Sequence, residues 1–349
     1  MKKAFAAAAI IAAALILTGA LLCGCALRAG FGDTAGDKGL WNAGGRKYRS
    51  VEYPITEGFT AIDARTVCAD LLLVRAEDGK CSVKCFERED ELHTVKVEGD
   101  TLVIEAEQTR DRFGFDFGFD NSKPAVMVLL PESVYGALRF DTETGDAVIQ
   151  EGFTFESLTV TGNTGDVHCA ADVTGSADIT MSTGDVELKG MQAGSIRIEL
   201  TTGDVELENV STGGDISVTV STGDIDLENV SAAGTVTLKC TTGETELENV
   251  SAGALVSEGS TGSIQLERTE VAGTMEIRRT TGDVRFENCD AEKVTVVTTT
   301  GDVNGTFRTA KVFYTDTDTG SVSVPKSTEG GLCDVTTSTG DIRLGIGER

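Results

Sequence analysis

The sequence predicts an all-β fold: a single-stranded parallel β-solenoid, or β-helix, of about 11–12 coils with a 19–20-residue repeat, preceded by an N-terminal hydrophobic helix. First, one glycine returns at intervals of 19 or 20 residues. Second, apolar residues alternate before each glycine, as is typical of β-strands. Third, no proline occurs between Pro131 and Pro325, as continuous strand ladders require. The recurring glycines are Gly145, Gly165, Gly184, Gly203, Gly223, Gly243, Gly262, Gly282, Gly301, Gly320 and Gly340.

Each repeat contains two short strands and two corners. Apolar residues alternate over 216–220 and again over 225–227, but their parity changes at Gly223. The chain must therefore bend at the glycine to keep both halves facing one core, and glycine tolerates the positive φ of such a corner. A second change of parity occurs at Val230, after Asn229, and marks the second corner.

The N-terminal segment, residues 1–28, is predicted to be a transmembrane anchor or a lipoprotein-type signal. Two lysines precede the 24 uncharged residues of Ala4–Leu27, which are long enough to span a bilayer. A cleaved signal peptide is a third interpretation. The sequence Leu-Cys-Gly-Cys resembles a bacterial lipobox and makes Cys25 the lipidation candidate. Each alternative predicts that the rest of the chain lies on the extracytoplasmic face of the cell membrane.

The remaining chain divides into three parts. Residues 29–50 are a Gly-rich linker, 51–134 hold a first degenerate coil with an antiparallel cap or insertion, and 135–349 form the regular β-solenoid. We expect the coils to stack in sequence order, from Phe59–Val74 to Cys333–Leu344. The last coil would then be covered by an irregular tail or by another chain, because an open edge invites further pairing.

A Phe-rich stretch stands apart from the repeat pattern. It could form a strand with one aromatic face, a loop that presents aromatic rings to a partner or membrane surface, or a cover over the end of the core. Its four aromatic residues are the interaction candidates Phe113, Phe115, Phe117 and Phe119.

An acidic residue follows most of the repeat glycines. Like charges stacked about 5 Å apart repel one another, so these carboxylates need compensation. Either they accept hydrogen bonds at the corner, which we favour, or they bind calcium. The weak metal candidates are Asp185, Asp204 and Asp224, and no other cofactor is expected. A second column, Asn209, Asn229, Asn249 and Asn288, is interpreted as an amide ladder.

Charge and cysteine content restrict the partners and the chemistry. The formal net charge of −26 argues against a nucleic-acid partner, because phosphate binding needs a basic surface. Cys169, Cys240, Cys289 and Cys333 occupy inward positions on separate coils, so buried thiols are expected rather than disulfides. A disulfide within the group Cys68, Cys81 and Cys85 is the less favoured alternative.

The sequence contains few candidates for catalysis. The only two histidines, His93 and His168, lie on segments assigned to different coils, and His168 alternates with inward residues and should face solvent. None of the common hydrolase, metalloprotease or phosphate-loop motifs is present. We therefore expect no enzyme activity.

The repeats resemble the putative adhesin family, bacterial β-solenoid proteins with a domain of unknown function and Thr-Gly-Asp repeats. The resemblance covers Tyr53–Leu344 and rests on the recurring Ser/Thr-Thr-Gly-Asp-Val/Ile pattern, on closing segments such as Asp318–Gly320 and Ser338–Asp341, and on the N-terminal hydrophobic segment. It implies an envelope-associated, non-catalytic role in adhesion, scaffolding or accessory signalling. It carries no catalytic residues over to this chain.

The sequence thus favours a membrane-anchored extracytoplasmic module that binds an envelope protein or glycan. Two alternatives remain open. One is a carbohydrate-active β-helix enzyme, a lyase or hydrolase, which would need a groove with a basic residue or a carboxylate pair. The other is a calcium-dependent surface protein, which would use the acidic column.

Overall fold

The computed structural model describes residues 40–43, 46–88, 91–108 and 124–347. The described residues belong to one compact unit, Leu40–Arg349. They form thirty β-strands and no helix, so the expected all-β parallel solenoid is confirmed. No stretch among them forms a helix able to cross a membrane. The N-terminal helix expected in residues 1–28 lies outside the described residues.

The strands of the first half of the chain are β1 Leu40–Ala43, β2 Arg46–Pro54, β3 Ala61–Thr66, β4 Asp70–Arg75, β5 Ser82–Arg88, β6 Glu91–Glu98, β7 Thr101–Gln108, β8 Ala125–Leu130, β9 Val134–Thr144, β10 Ala147–Ile149, β11 Thr154–Thr164, β12 Val167–Cys169, β13 Asp172–Thr183, β14 Val186–Lys189 and β15 Gln192–Thr202.

The strands of the second half are β16 Val205–Glu208, β17 Ser211–Thr212, β18 Ile216–Thr222, β19 Ile225–Glu228, β20 Ser231–Thr242, β21 Thr245–Glu248, β22 Ser251–Thr261, β23 Ile264–Glu267, β24 Glu270–Thr281, β25 Val284–Thr300, β26 Val303–Phe307, β27 Lys311–Thr319, β28 Val322–Ser323, β29 Gly331–Thr339 and β30 Ile342–Ile346.

Equivalent residues of successive coils stack in parallel register. Ile198 of β15 pairs with Ile179 of β13, and Val205 of β16 pairs with Val186 of β14. All four residues are buried. The core is therefore a set of apolar columns, and each coil buries its apolar face against its two neighbours, as in other solenoids.

A third bend adds to the two corners expected from the sequence. The ladder between β13 and β15 shifts register between Val173 and Ser176, and the same irregularity recurs in several other coils. Val173 pairs with Ala193, twenty residues on, whereas Ser176 pairs with Ser195, nineteen residues on. This bulge therefore lets coils of 19 and 20 residues stack in register. The positions of the repeat glycines alone do not show where the extra residue lies.

The repeat glycines form one continuous column of corners. With the exception of Gly145, every repeat glycine has a positive φ, +142° at Gly223 for example. A Cβ placed on Gly223 would lie 2.0 Å from the carbonyl oxygen of Gly203. Any side chain at this corner would therefore both strain the backbone and collide with the coil beneath.

The second corner is formed by asparagines in the left-handed region. Asn209, Asn229 and Asn249 have φ of 55°, 55° and 54°. The Asn229 amide donates to the Asn209 side-chain oxygen at 3.1 Å, and Asn249 donates to Asn229 at 3.0 Å. The amide ladder expected from the sequence is present over Asn209, Asn229 and Asn249, whereas Asn288 lies beyond Arg268. Arg268, at φ 49°, continues it by donating to Asn249.

At the N-terminal end the coils do not follow sequence order. Strand β3 lies between β7 and β9, and β4 lies between β8 and β10. The outermost coil is therefore β7 with β8, and the first coil of the sequence is the second coil of the stack. The expectation that stacking begins with Phe59–Val74 is wrong, because β7 and β8 occupy the outer edge of that coil.

Antiparallel strands cover this outermost coil. Strand β6 pairs with β7 and β5 pairs with β8, both antiparallel. Strand β2 then pairs with β5, and β1 with β2. These pairings occupy the edge that β7 and β8 would otherwise present for association with another chain.

The C-terminal end repeats the exchange of order. Strand β29 lies between β25 and β27, and β30 lies between β26 and β28. The expectation that Cys333–Leu344 forms the terminal coil is therefore wrong. The terminal coil is β27 with β28, where Thr315 stands in the column that β29 fills with Val335. A polar residue fits there because no further coil among the described residues covers this position.

The buried guanidinium of Arg279 interrupts an apolar column of the core. Arg279 of β24 is only 5% exposed and occupies an inward position next to Gly259, whose missing side chain makes room for the guanidinium. It donates to the hydroxyls of Thr245 and Ser257 at 3.3 and 3.0 Å and to the Arg278 carbonyl. Burial lowers the pKa of Arg279, which lies beside Cys240.

The glycine corner makes a specific prediction for stability. Gly223→Ala should lower the free energy of unfolding by at least about 2 kcal/mol, because the alanine is strained and meets a carbonyl. Gly213→Ala is the matched control, since nothing lies within 4 Å of its added Cβ. We expect this control to stay within about 0.5 kcal/mol of the wild type. Thermal unfolding of the full chain, followed by circular dichroism, would contradict the account if both variants melted alike.

Candidate functional site

A shallow open groove of about 720 Å³ crosses several coils near the second corner. Its floor contains Ala232, Ala252, Val271 and Ala291, which are buried residues at equivalent positions of β20, β22, β24 and β25. Small side chains leave this surface recessed. Because the four positions are in register, the floor repeats about every 4.8 Å along the stack.

Polar and charged side chains border the groove. The Ser251 hydroxyl donates to the Ser231 hydroxyl at 3.0 Å. Arg308 forms an ion pair with Glu270, a residue 38 positions earlier in the sequence. The groove thus combines an apolar floor with paired charges in a protein of strongly negative net charge.

Lys311 closes one end of the groove and is buried. Its ammonium group forms an ion pair with Asp290 and donates to the Ala291 carbonyl at 2.8 Å and to the Thr309 hydroxyl at 2.9 Å. The same nitrogen lies 5.9 Å from the centre of the Phe307 ring. These contacts satisfy the three N–H donors of the lysine and fix the wall of the groove.

A second cavity of about 850 Å³ continues the groove toward the asparagine corner and shares Ser251, Glu270 and Arg308 with the first. Arg268 contributes to its wall. The guanidinium of Arg268 forms ion pairs with Glu248 and Glu267. We refer to the two cavities together as the corner groove.

The acidic column has a hydrogen-bonding role at the glycine corner. The Asp204 carboxylate accepts the backbone N–H of Asp224 at 2.8 Å, and Asp185 accepts that of Asp204 at 2.9 Å. Each carboxylate thus holds the backbone of an adjacent coil. At Asp341, the N–H and hydroxyl of Ser321 lower the carboxyl pKa, and Arg343 lowers it further. Calcium binding at Asp185, Asp204 and Asp224 stays a prediction.

Two other sets of candidates lie outside the described residues. These are the lipidation candidate Cys25 and the aromatic candidates Phe113, Phe115, Phe117 and Phe119. Cys81, Cys85, Cys169, Cys240, Cys289 and Cys333 are free thiols, and the last four are buried, as expected from their inward positions.

His168 lies on an outward face, as expected, but it is engaged with a carboxylate. Its Nδ1 is 2.5 Å from a carboxylate oxygen of Glu187, which also pairs with Lys189. The hydrogen bond with Glu187 is the main reason that the pKa of His168 is raised. The same bond is the main reason that the pKa of Glu187 falls to about 2. The signal that could have found this pair is the repeat itself, because both residues stand three positions after a repeat glycine and therefore pair on adjacent coils.

The His168–Glu187 pair predicts a pH-dependent contribution to stability. The raised pKa of His168 stabilises the fold below the ordinary histidine value of 6.5, and this stabilisation is lost as pH rises through the folded pKa. The lowered pKa of Glu187 stabilises it above the ordinary value of 4.5, with loss as pH falls toward 2. Replacing His168 with Gln should therefore lower the melting temperature most between pH 4.5 and 6.5. A difference that stays constant from pH 3 to about pH 9 would contradict the ion pair.

Comparison with solved structures finds several proteins that are similar to this chain. Similar solved structures include a putative adhesin from Bacteroides fragilis (15% identity, TM-score 0.31, 85% of this chain and 97% of that chain covered). Another putative adhesin, from Parabacteroides distasonis, gives 10% identity, TM-score 0.40 and coverage of 85% and 97%. A putative lipid binding protein from the same species gives 13%, 0.30, 85% and 96%.

None of the curated proteins matches this chain. The model of the family described as Toastrack DUF4097 matches residues 59–249 and 213–348. These two matches together include nearly all of the solenoid, and the resemblance seen in the Thr-Gly-Asp repeats is confirmed. The chain belongs to the Toastrack DUF4097 family.

Proposed function

We propose that the protein is a non-catalytic binding module of the bacterial cell envelope, and that the corner groove holds an extended polar chain. The ligand would be an envelope glycan or an extended protein segment. The observation that carries this proposal is the floor of small residues, which continues in register across successive coils.

The dimensions of the groove favour a polymeric ligand. A floor that repeats with the coil spacing, about 4.8 Å, offers equivalent contacts at successive points along an extended chain. The apolar floor can cover one face of the ligand, while Ser231, Ser251 and the ion-paired side chains can hydrogen-bond to polar groups at its edges. Binding sites commonly combine an apolar surface with a few placed polar groups in this way.

The charges of the groove are arranged for binding rather than for proton transfer. Glu270 pairs with Arg308 and Asp290 pairs with Lys311. A glycoside hydrolase needs one carboxyl group that keeps its proton and a second positioned opposite it across the scissile bond. Each of these two groove carboxylates already contacts a cation, so neither stands alone to face a scissile bond. The carbohydrate-active enzyme is therefore the less favoured alternative.

The location forms part of the same proposal and rests on the sequence. The uncharged segment Ala4–Leu27 would hold the protein at the cell membrane, either as an anchor helix or through a lipid on Cys25. The solenoid would then present its groove on the extracytoplasmic face. A scaffold or accessory signalling role would follow from what the groove binds.

An array of envelope glycans, cell-wall fragments and extended peptides tests this function, using the full chain in detergent with and without calcium. Ala272→Trp fills the groove from an exposed position. We expect it to weaken binding of any captured ligand at least about tenfold, because a tenfold change needs only about 1.4 kcal/mol of lost contact. Thr219→Trp, on an outward face away from the groove, is the control and should bind as the wild type does.

Two results would contradict the proposal. One is an array with no bound ligand at all. The other is a bound ligand whose affinity is equal in the wild type and in Ala272→Trp. If binding required calcium and Ala272→Trp still weakened it, the acidic column would be part of the binding function and the corner groove would remain the ligand site.

A further inference from the structure

A buried cluster in the antiparallel cap contains three side chains that commonly bind metals. Cys85 and Glu87 project from the same side of β5, and His93 lies on β6. One ligand atom from each residue lies within 4.8 Å of the other two. All three residues are buried. This cluster is separate from the corner groove, which is formed by β20, β22, β24 and β25 and the residues that follow them.

Among the residues that the structure describes, the imidazole of His93 has no hydrogen-bond partner for either ring nitrogen, although its side chain is 0% exposed. Its Nδ1 lies 3.6 Å from Oε1 of Glu87, and its Nε2 lies 3.7 Å from Oε1 of Glu91. Both distances exceed the 2.7–3.2 Å of an N–H···O hydrogen bond. Buried polar groups without partners are rare because they lose their hydration without replacement.

The same distances fit two atoms that share a metal ion. A tetrahedral zinc ion with bonds of about 2.0–2.3 Å places its ligand atoms about 3.5 Å apart. The separation of His93 Nδ1 and Glu87 Oε1, 3.6 Å, already matches this value. The ligand atoms of all three residues lie within 4.8 Å of one another. Moving the Cys85 sulfur to the separation that a shared zinc ion needs therefore takes a side-chain shift of only about 1 Å.

The surroundings of the cluster hold its carboxylates in place. Glu91 accepts the backbone N–H groups of Val67, Cys68 and Ala69 at 2.9, 2.9 and 3.2 Å. Its carboxylate therefore remains fixed beside Nε2 of His93. A metal-bound histidine commonly donates its other ring N–H to such a carboxylate, which fixes the tautomer and the ring orientation.

The Glu87 carboxylate is fixed from a second strand. It accepts hydrogen bonds from the Arg49 guanidinium and from the backbone N–H of His93, the latter at 2.6 Å. Glu87 is thus a buried carboxylate that donors from two other strands hold in place.

We propose that Cys85, Glu87 and His93 bind a divalent transition-metal ion of borderline softness, with Zn²⁺ as the representative ion. A thiolate, an imidazole and a carboxylate are the ligand types that zinc accepts in proteins. Glu91 then acts as a positioning residue that accepts the Nε2–H of His93. On binding, the Cys85 thiol loses its proton to solvent and its sulfur forms the bond to the metal.

Metal binding would replace a proton that the apo protein holds firmly. Burial raises the pKa of the Cys85 thiol to about 12, with a further contribution from Glu87 that Arg49 opposes. A coordinating thiol is deprotonated by the metal itself, because the ion supplies the positive charge that the buried site lacks. The same burial keeps Cys85 unreactive as a free thiol.

The position of the site suggests that the metal fastens the cap. Strand β5 covers β8 and strand β6 covers β7, which are the two strands of the outermost coil. The direct ladder between β5 and β6 contains one pair, Arg88 with Glu91. An ion held by Cys85 and Glu87 on one side and His93 on the other would join the two strands where their own pairing is sparse.

Cobalt(II) titration of the full chain, purified in detergent with a phosphine reductant, tests the site. We expect one Co²⁺ per chain and a thiolate-to-cobalt charge-transfer band in the near ultraviolet, which one equivalent of Zn²⁺ removes. Cys85→Ser and His93→Gln should each abolish the band. Cys169→Ser is the matched control, since it changes another buried cysteine and should leave the band intact.

A positioning role for Glu91 has a separate readout. Glu91→Gln should keep the stoichiometry and the band but weaken metal affinity by about 10–100-fold, the usual cost of losing an outer carboxylate. A merely structural role would lower the melting temperature and leave affinity unchanged. Circular dichroism of each variant separates loss of metal binding from loss of the fold.

Two results would overturn the proposal. The first is a wild-type chain that shows no charge-transfer band with Co²⁺, a test that does not depend on any variant folding. The cluster would then be a buried contact of the His93 ring with two carboxylates and no metal. The second is a band that persists in both Cys85→Ser and His93→Gln, which would place the ion elsewhere.

Discussion

The structure depends on the close contact between successive glycines at the first corner. The carbonyl of each repeat glycine occupies the space where a side chain on the next glycine would lie, at 2.0 Å for Gly203 and Gly223. This contact allows adjacent coils to approach within strand-pairing distance while the chain turns. The carboxylate that follows most of these glycines then accepts an N–H from the neighbouring coil, as Asp204 does from Asp224. The apolar columns of the core, the bulges and the asparagine ladder all require that adjacent coils keep this register.

The sequence was sufficient for the repeating part of the fold because each repeat specifies the same local conformation. Gly223 and Asn229 mark corners through their tolerance of positive φ, and alternation over 216–220 identifies the inward face. The exchange of order at both ends was not predictable from periodicity. Strands β27 and β29 carry the same corner motif, so local pattern alone cannot tell which of them lies next to β25.

The candidate sites show the same division between local and nonlocal information. The acidic column was visible because it repeats, although its hydrogen bonds became apparent only in the stacked structure. The corner groove was not predicted, since its small floor residues, such as Ala252 and Ala291, have no distinctive local pattern. The cluster of Cys85, Glu87 and His93 arises from two antiparallel strands that interrupt the repeat. Thus the repeated coils supply a regular surface, whereas the cap contains a cluster of metal-binding side chains that does not recur elsewhere among the described residues.

The glycine corners set the register between neighbouring coils, and the order in which the coils stack at the C-terminal end differs from their order along the chain. Oxidative cross-linking of paired cysteine substitutions at exposed positions measures this directly. Val297 of β25 pairs with Thr336 of β29. Thr336 also pairs with Asp316 of β27, the strand on the other side of β29. Adjacent strands lie about 4.8 Å apart and alternate ones about 9.6 Å, whereas a disulfide requires Cα atoms within about 7 Å. The account predicts an intrachain disulfide for V297C with T336C and none for V297C with D316C; the reverse pattern would contradict it.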